Sequence, residues 1–435
     1  MDKQEAQAER EARFETYLDG LAAVIGHRDR HGPLRMYCTG LLLPGERKSV
    51  EPLAARLQPQ RVSACHQSLL HFIGVAPWSD EAVLSAVREA VLPVVESQGP
   101  VEAWLIDDTG MPKKGRHSVG VKNQYCGVLG KNANCQVAVS LSLANEEASL
   151  PVAYRLYLPE EWATDPERRR KAGVPEQVRF ERKWEISLGE IDQLLGSGVK
   201  PAPVVADAGY GDAVEFRQGL TDRHLTYVVG VSKNTTVWRP GQGPLPPPAY
   251  AGRGRPAKRV RRSPECTPVS VLQLAPELAA TDWHTVNWRA GSRGPMTSRF
   301  AAVRVRPAHR DDQRTEPRPV EWLLLEWPEK ESEPTHYWLS TQPESVTLEG
   351  LVRLAMLRWR VERDYQELKD EIGLDHYEGR GWRGFHHHAT LCIAAYGFLT
   401  AEHARLSPPQ PPAGPLVRVP PLPAGYRPRG APAAR

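Results

Sequence analysis

Three carboxylates stand out by what precedes and surrounds them. The apolar run Trp104-Leu105-Ile106 stops at Asp107 and Asp108, and the run Val204-Val205-Ala206 stops at Asp207, just ahead of Gly209 and Gly211. If these runs are neighbouring strands, two carboxylates meet at one sheet edge, where oxygen ligands suit a hard divalent cation such as Mg2+ or Mn2+. The third is Glu362, in "RLAMLRWRVERDYQELKDEIGL". At about 100° per residue, Arg358 and Glu362 lie about 40° apart around a helix axis, and Tyr365 and Lys369 follow on the same side. One helix face thus offers a carboxylate, two cations and a phenol. Singly, an Asp after a strand is more often a turn or helix cap, and a charged helix face more often a solvated one. The coincidence of all three is what points to chemistry.

Directly after Asp108 the chain turns basic and glycine-rich, through Lys113, Lys114, Arg116, Lys122 and Lys131. Beside an acidic metal site these cations would track a DNA backbone, giving salt-dependent affinity without sequence choice; alone they would be a solvated basic hairpin. There is no G-x-x-x-x-G-K-[ST], which argues against a phosphate-binding P-loop. The triplet His386-His387-His388 cannot ligate one ion from consecutive helix positions about 100° apart, so packing or a phosphate contact is expected of it. The six cysteines form no C-x-x-C pair and no dense framework, which excludes a zinc ribbon and a disulfide scaffold and suits a reducing interior.

These groups must be positioned by a chain of 435 residues whose 25% charged and 40% hydrophobic content is ordinary for a globular protein. Net charge is only +4, but the basic residues cluster, which favours a polyanionic partner. The N-terminus reads as a charged amphipathic helix rather than a signal peptide, and no run of 18 or more apolar residues occurs; a cytoplasmic protein without a membrane partner is expected. Residues 1–98 carry mostly helical apolar spacing and are expected to form a helical N-terminal module, a candidate for binding DNA ends. From 99 to 237 the order reads β-β-β-α-β-α-β. A Pro-, Gly- and Arg-rich loop after Trp238 opens a β-rich insertion over 238–344. Over 345–406 a long helix, from about Thr347 to Ile372, and another, from about Phe385 to Arg405, complete the core. The last 29 residues, 407–435, hold ten prolines and no acid and read as a disordered tail.

This order, with an Asp at the first strand, an Asp after the fourth and a Glu on a later helix, resembles the ribonuclease-H-like catalytic domain of DDE transposases. The Glu helix is similar to the Tyr-x(2)-Arg-x(3)-Glu-x(6)-Lys signature of cut-and-paste insertion-sequence transposases at Arg358, Glu362 and Lys369, and departs from it at Ala355, where the signature has Tyr. The segments "DDTGMPKKGRHSVGVKNQYCGVLGKNANCQVAVSLSLA", "LYLPEEW", "VADAGYGD" and "GLDHYEGRGWRGFHHHATLCIAAYGFL" resemble the insertion sequence 701 family of bacterial transposases, a likeness running from about Met36 to Leu399.

That resemblance implies an α/β fold, a mixed sheet with helices, interrupted by the β-rich insertion and preceded by the helical module. It implies two Mg2+ ions, replaceable by Mn2+, held about 3.5 to 4 Å apart by Asp107, Asp207 and Glu362. Related transposases often show Asp-x-Thr at the first strand, which selects Asp107 over Asp108; strand alternation also sets the two on opposite faces, leaving Asp108 as the alternative. Arg358, Lys369 and Tyr365, with Lys113, Lys114, Arg116 and Lys122, would contact DNA. The implied partners are element ends and target DNA, bound by a homodimer in the bacterial nucleoid. The implied reaction is strand cleavage at the ends followed by strand transfer; a domesticated DNA-binding regulator or a nuclease without strand transfer are the alternatives.

Overall fold

The computed structural model describes residues 3–250, 252, 255, 257–291 and 294–406. The expected tail lies outside them, as do four positions of the basic loop. The first stretch folds as the apolar spacing predicts, into five helices: α1 (Lys3–Val24), α2 (His31–Leu42), α3 (Val50–Leu57), α4 (Val62–Gly74) and α5 (Asp80–Glu96). Ser79 caps α5 by accepting the Ala82 N–H at 3.1 Å, satisfying one of the free donors of the first turn.

Four strands follow: β1 (Ala103–Pro112), β2 (Lys122–Cys126), β3 (Lys131–Ala144) and β4 (Ser149–Leu156). Then come the short α6 (Glu160–Ala163) and α7 (Pro166–Ala172), α8 (Lys183–Gly196), β5 (Val204–Ala206), α9 (Ala208–Gly211), α10 (Val214–Asp222) and β6 (Tyr227–Val231). The expected alternation holds, with β2 as an additional short strand in the basic hairpin. Beyond it lie β7 (Thr236–Trp238), β8 (Val269–Ser270), α11 (Val271–Leu274), β9 (His284–Gly291), β10 (Gly294–Pro307), β11 (Glu321–Trp327) and β12 (His336–Ser340). Three helices close the described chain: α12 (Leu348–Met356), α13 (Trp359–Glu367) and α14 (Trp382–Leu406).

All the strands join one mixed sheet in the order β2-β3-β1-β5-β6-β12-β11-β10-β7-β8, with β4 also on β3 and β9 also on β10. β1 runs antiparallel to β3 but parallel to β5, and β5 parallel to β6, so helices must cover the sheet on the crossovers. β12 then adds antiparallel to β6, so the later strands extend the first sheet instead of forming their own.

The N-terminal helices share a continuous apolar core with the sheet and α14, from Leu18 through Trp104 and Leu141 to Leu391 and Ala401. A fully buried leucine such as Leu391 contributes about 2 to 3 kcal/mol. The histidine triplet is buried in α14 and packs; it does not face a surface. His388 Nδ1 lies 2.7 Å from the Tyr37 hydroxyl and Nε2 3.0 Å from the Gly373 carbonyl, so the neutral ring is satisfied on both sides. Burial pushes its pKa down to about 4.

The sign follows from that depression. Unfolded chains take up a proton near pH 6.5 that the folded ring refuses until about 4, so stability falls as pH drops through that window, by up to about 3 kcal/mol for this group. Urea midpoints measured between pH 7 and 4 should therefore decline, and His388→Gln should flatten the slope. A slope unchanged by that substitution would refute the assignment.

All six cysteines are free, and five of them are buried. Among the described residues no helix is long and apolar enough to cross a membrane.

Candidate active site

The register of β1 against β5 puts two carboxylates side by side. Ile106 pairs with Ala206, so Asp107 and Asp207 are the next residues on adjacent parallel strands. β5 does end there. Asp207 caps α9, its Oδ1 accepting the Gly209 N–H at 2.9 Å. β1 does not end at Asp107 or Asp108, contrary to the reading of the apolar run. Its ladder with β3 continues through Met111 opposite Gln136 to Pro112 opposite Cys135, so both acids sit in mid-strand. Charge is tolerated there because each acid has a cation delivered from elsewhere in the fold. Asp107 Oδ2 lies 2.7 Å from Arg358 Nη1, and Asp108 Oδ2 lies 2.8 Å from Lys183 Nζ on α8.

Asp107 is buried and Asp108 is partly exposed. Burial pushes the Asp107 carboxyl up to about 7, and the charges of Asp207 and Asp108 add to the push. Arg358 and the Asp108 N–H, 2.8 Å from Oδ1, act against it.

Arg358 is the centre of the arrangement. Its second nitrogen, Nη2, lies 2.7 Å from Glu362 Oε1, one turn along the helix. Burial works against its charge, but Asp107, Glu362 and Asp207 outweigh it and hold the guanidinium above its ordinary pKa. Asp107 and Glu362 thus share one cation, and Asp207, next to Asp107 on the adjacent strand, adds its charge from farther away.

The expected long helix is broken here. α12 closes at Leu357, and the Arg360 and Val361 N–H groups bond to the carbonyls of Leu357 and Arg358, three residues back, at 3.0 and 3.1 Å. After α13 the chain widens into a π turn, Leu368–Ile372, ended by Gly373 at a φ of 84°. Such tight and wide turns rotate side chains off the regular helical spacing. Lys369, in the wide turn, reaches back to β1, where Nζ donates to Thr109 Oγ1 at 2.5 Å and to the Gly110 carbonyl at 3.1 Å.

Tyr365 is not on the surface with its neighbours. It is buried, its hydroxyl 2.6 Å from Ser140 Oγ. Ser140 is the cross-strand partner of Asp107, so this bond pins α13 over that point of the sheet. Asp364 supplies a second anchor, its buried carboxylate accepting from Ser149 Oγ and from the Tyr396 hydroxyl at 2.7 Å. Sequence reading did not assign Ser140, Lys183, Ser149 or Asp364. One signal was available: Val361, Tyr365, Leu368 and Ile372 repeat at i, i+4, i+7 and i+11, so Tyr365 completes the apolar stripe.

Among the expected DNA-contacting cations, Lys114 and Arg116 are exposed, whereas Lys122 pairs at 3.7 Å with Glu161. Lys113 turns inward, its Nζ donating to the Tyr377 carbonyl at 2.9 Å. A cleft of about 490 Å³ opens beside it, lined by Arg47, Lys114, Asp375 and Glu378 among others.

The oxygen-only donor set of Asp107, Asp207 and Glu362 fits a hard divalent cation. Among the described residues no three acidic, His or Cys side chains are gathered tightly enough to hold one as they stand. Arg358 supplies the positive charge between them, and Glu362, its side chain 60% exposed, is free to swing from it.

A probable transposase for insertion sequence element IS701 from Microchaete diplosiphon is 32% identical over 172 residues, 39% of this chain. The match spans 42% of that relative, less than half its length. Among solved structures, a piggyBac transposase synaptic complex with hairpin DNA aligns over 89% of this chain and 69% of its own, at 10% identity and a TM-score of 0.41, too loose to define the fold. Residues 20–295 match the family described as DDE superfamily endonuclease, well over half of the chain, and the protein belongs to that family.

Proposed function

We propose that this protein is the transposase of a bacterial insertion sequence, cleaving DNA at the element's ends and joining the released 3′-hydroxyls to target DNA. The fold that carries this is read as ribonuclease-H-like, with β1, β5 and α13 supplying the acidic residues. The single observation that supports the reading most is that Asp107 and Glu362 share the Arg358 guanidinium, with Asp207 next to Asp107 on the adjacent strand. These carboxylates would hold divalent cations, Mg2+ or Mn2+ and two in number. A metal held by these residues would supply activation of the attacking water or 3′-hydroxyl and charge stabilisation at the leaving oxygen.

The chain's own residues do the rest. The carboxylates act as ligands, not as proton donors. Arg358, released from Asp107 and Glu362, presents a planar fork that matches a phosphate bidentately, and Lys369 adds a point charge next to it. The Tyr365 and Asp364 anchors keep α13 at a fixed height above β1, so that Glu362 moves by rotamer and not by helix displacement. Lys114 and Arg116 track the flanking backbone, and a homodimer bridges the two ends.

The direct test incubates purified protein with the element ends, read from the flanking genome, a target plasmid and Mg2+. Nicked ends joined to the plasmid are expected. Cleaved ends that never join would indicate a nuclease, and binding without cleavage a regulator.

The choice between the two adjacent acids has its own test. Asp107→Asn should lower cleavage at least about a hundredfold, because it removes a charge at the reacting centre. Asp108→Asn, which only releases Lys183, should cost no more than about tenfold. Equal losses would overturn the preference for Asp107.

A further inference from the structure

Three large apolar side chains stand in solvent beside the acidic site. At the tip joining β2 and β3, a single turn Gly127–Leu129 and Gly130 at a φ of 60° reverse the chain. Tyr125 is 62% exposed, Val128 60% and Leu129 44%. Beneath them Cys126 is fully buried against β1, so close that a Cβ on Gly110 would lie 2.7 Å from its Sγ. Gly110 and Thr109 are the residues that hold Lys369, and Asp107 lies three positions back, about 10 Å along the strand. The tip is therefore built onto the edge of the site, at least about three base pairs away at the spacing of a DNA duplex.

Its surroundings select the occupant. From Lys113 to Asn134 the chain carries five cations and no acid. The Lys113–Arg116 turn is tied to β3, with Asn134 Nδ2 donating to the carbonyls of Lys113 and Gly115 at 2.6 and 2.9 Å. An apolar point two strands wide, with Lys114, Arg116 and Lys131 exposed in the same stretch and Lys122 held by Glu161, is too narrow for a stable protein interface of about 800 Å² per partner. It has the shape and charge of a wedge that enters a base step while cations hold the phosphates on either side.

We propose that the β2–β3 tip inserts into the DNA beside the scissile phosphate, with Val128 and Leu129 unstacking a base step and Lys122 and Lys131 on the flanking phosphates. The proposal rests on the reading of the acidic site as a DNA-cleaving centre. Unstacking there bends the duplex over the carboxylates and frees the target phosphodiester from helical geometry.

The test uses the full chain, duplexes of the element's end with 2-aminopurine at each position within five base pairs of the cut, and Ca2+ to allow binding without cleavage. Wild-type protein should raise the fluorescence severalfold at one position, at least about three base pairs from the cut. The double substitution Val128→Ser, Leu129→Ser should abolish that rise, with binding by anisotropy weakened less than tenfold and the melting temperature unchanged. A rise that survives the substitution, or none at any position with protein that cleaves in Mg2+, overturns the wedge and leaves the cleavage reading intact. A variant that keeps the rise but sediments as a smaller species would make the tip a contact between copies of this chain, and also overturns it. Wild-type protein that neither binds nor cleaves the ends removes both readings.

Discussion

Replacing Glu362 with Gln should reduce cleavage of element ends roughly a thousandfold or more, about 4 kcal/mol of transition-state stabilisation, while leaving the fold intact. The two effects separate because of where the side chain sits. Glu362 is exposed, and its hydrogen bond is to Arg358 at 2.7 Å, which the amide oxygen of Gln can still accept. Exposed pairs of this kind are worth at most about 1 kcal/mol, so the unfolding midpoint should barely move. What Gln lacks is the negative charge, and a site meant to hold a divalent cation against phosphate cannot spare it. The readout is the rate of plasmid nicking at the ends alongside a melting curve. A loss smaller than tenfold would remove Glu362 from the proposed ligand set.

The second large effect is expected at a residue without a side chain. Gly211→Ala should destabilise the protein by about 3 kcal/mol or more, because a Cβ there would sit 1.9 Å from the Gly230 carbonyl oxygen, a backbone atom unable to move aside cheaply. Gly230, in the middle of β6, is equally constrained, since its own Cβ would lie 2.9 Å from the Ala208 nitrogen. Two facing glycines thus let the turn after β5 lie directly on β6, and that turn begins with Asp207. Pushing it away by 1 Å would cost about a hundredfold in rate as well, even where the protein remains folded. Gly189→Ala in α8 is the control: nothing lies within 4 Å of its Cβ, and removing a helical glycine should add up to about 1 kcal/mol. Urea unfolding compares the three proteins. A Gly211→Ala protein as stable as wild type would contradict the close approach.

Much of the candidate site's local pattern was legible in the sequence. The spacing of Arg358, Glu362 and Lys369, and the two Asp-terminated apolar runs, are local patterns, and local patterns survive into structure because helical and strand periods are set by the backbone. The alternation of strands and helices across residues 99–237 was legible for the same reason. Less legible was the end of β1. Apolar runs stop where charge begins, but strands stop where backbone pairing stops, and β3 is long enough to pair with β1 as far as Pro112. The break at Leu357 and the wide turn at Leu368 were also out of reach, because no Pro or Gly lies within the affected turns to announce them.

Glu362 and Asp364 show the limit most clearly. Two positions apart on one helix, they are equally acidic in sequence, yet one lies exposed against Arg358 and the other is buried between Ser149 and Tyr396. By itself the sequence determined which residue types could make an acidic site and which elements would carry them. Only the tertiary structure decided which cation meets which acid: Arg358 with Asp107 across 251 residues, Lys183 with Asp108 across 75. The physical reason is range. Propensity and periodicity act over a few turns, whereas ion pairing and burial depend on what the closed sheet brings into contact.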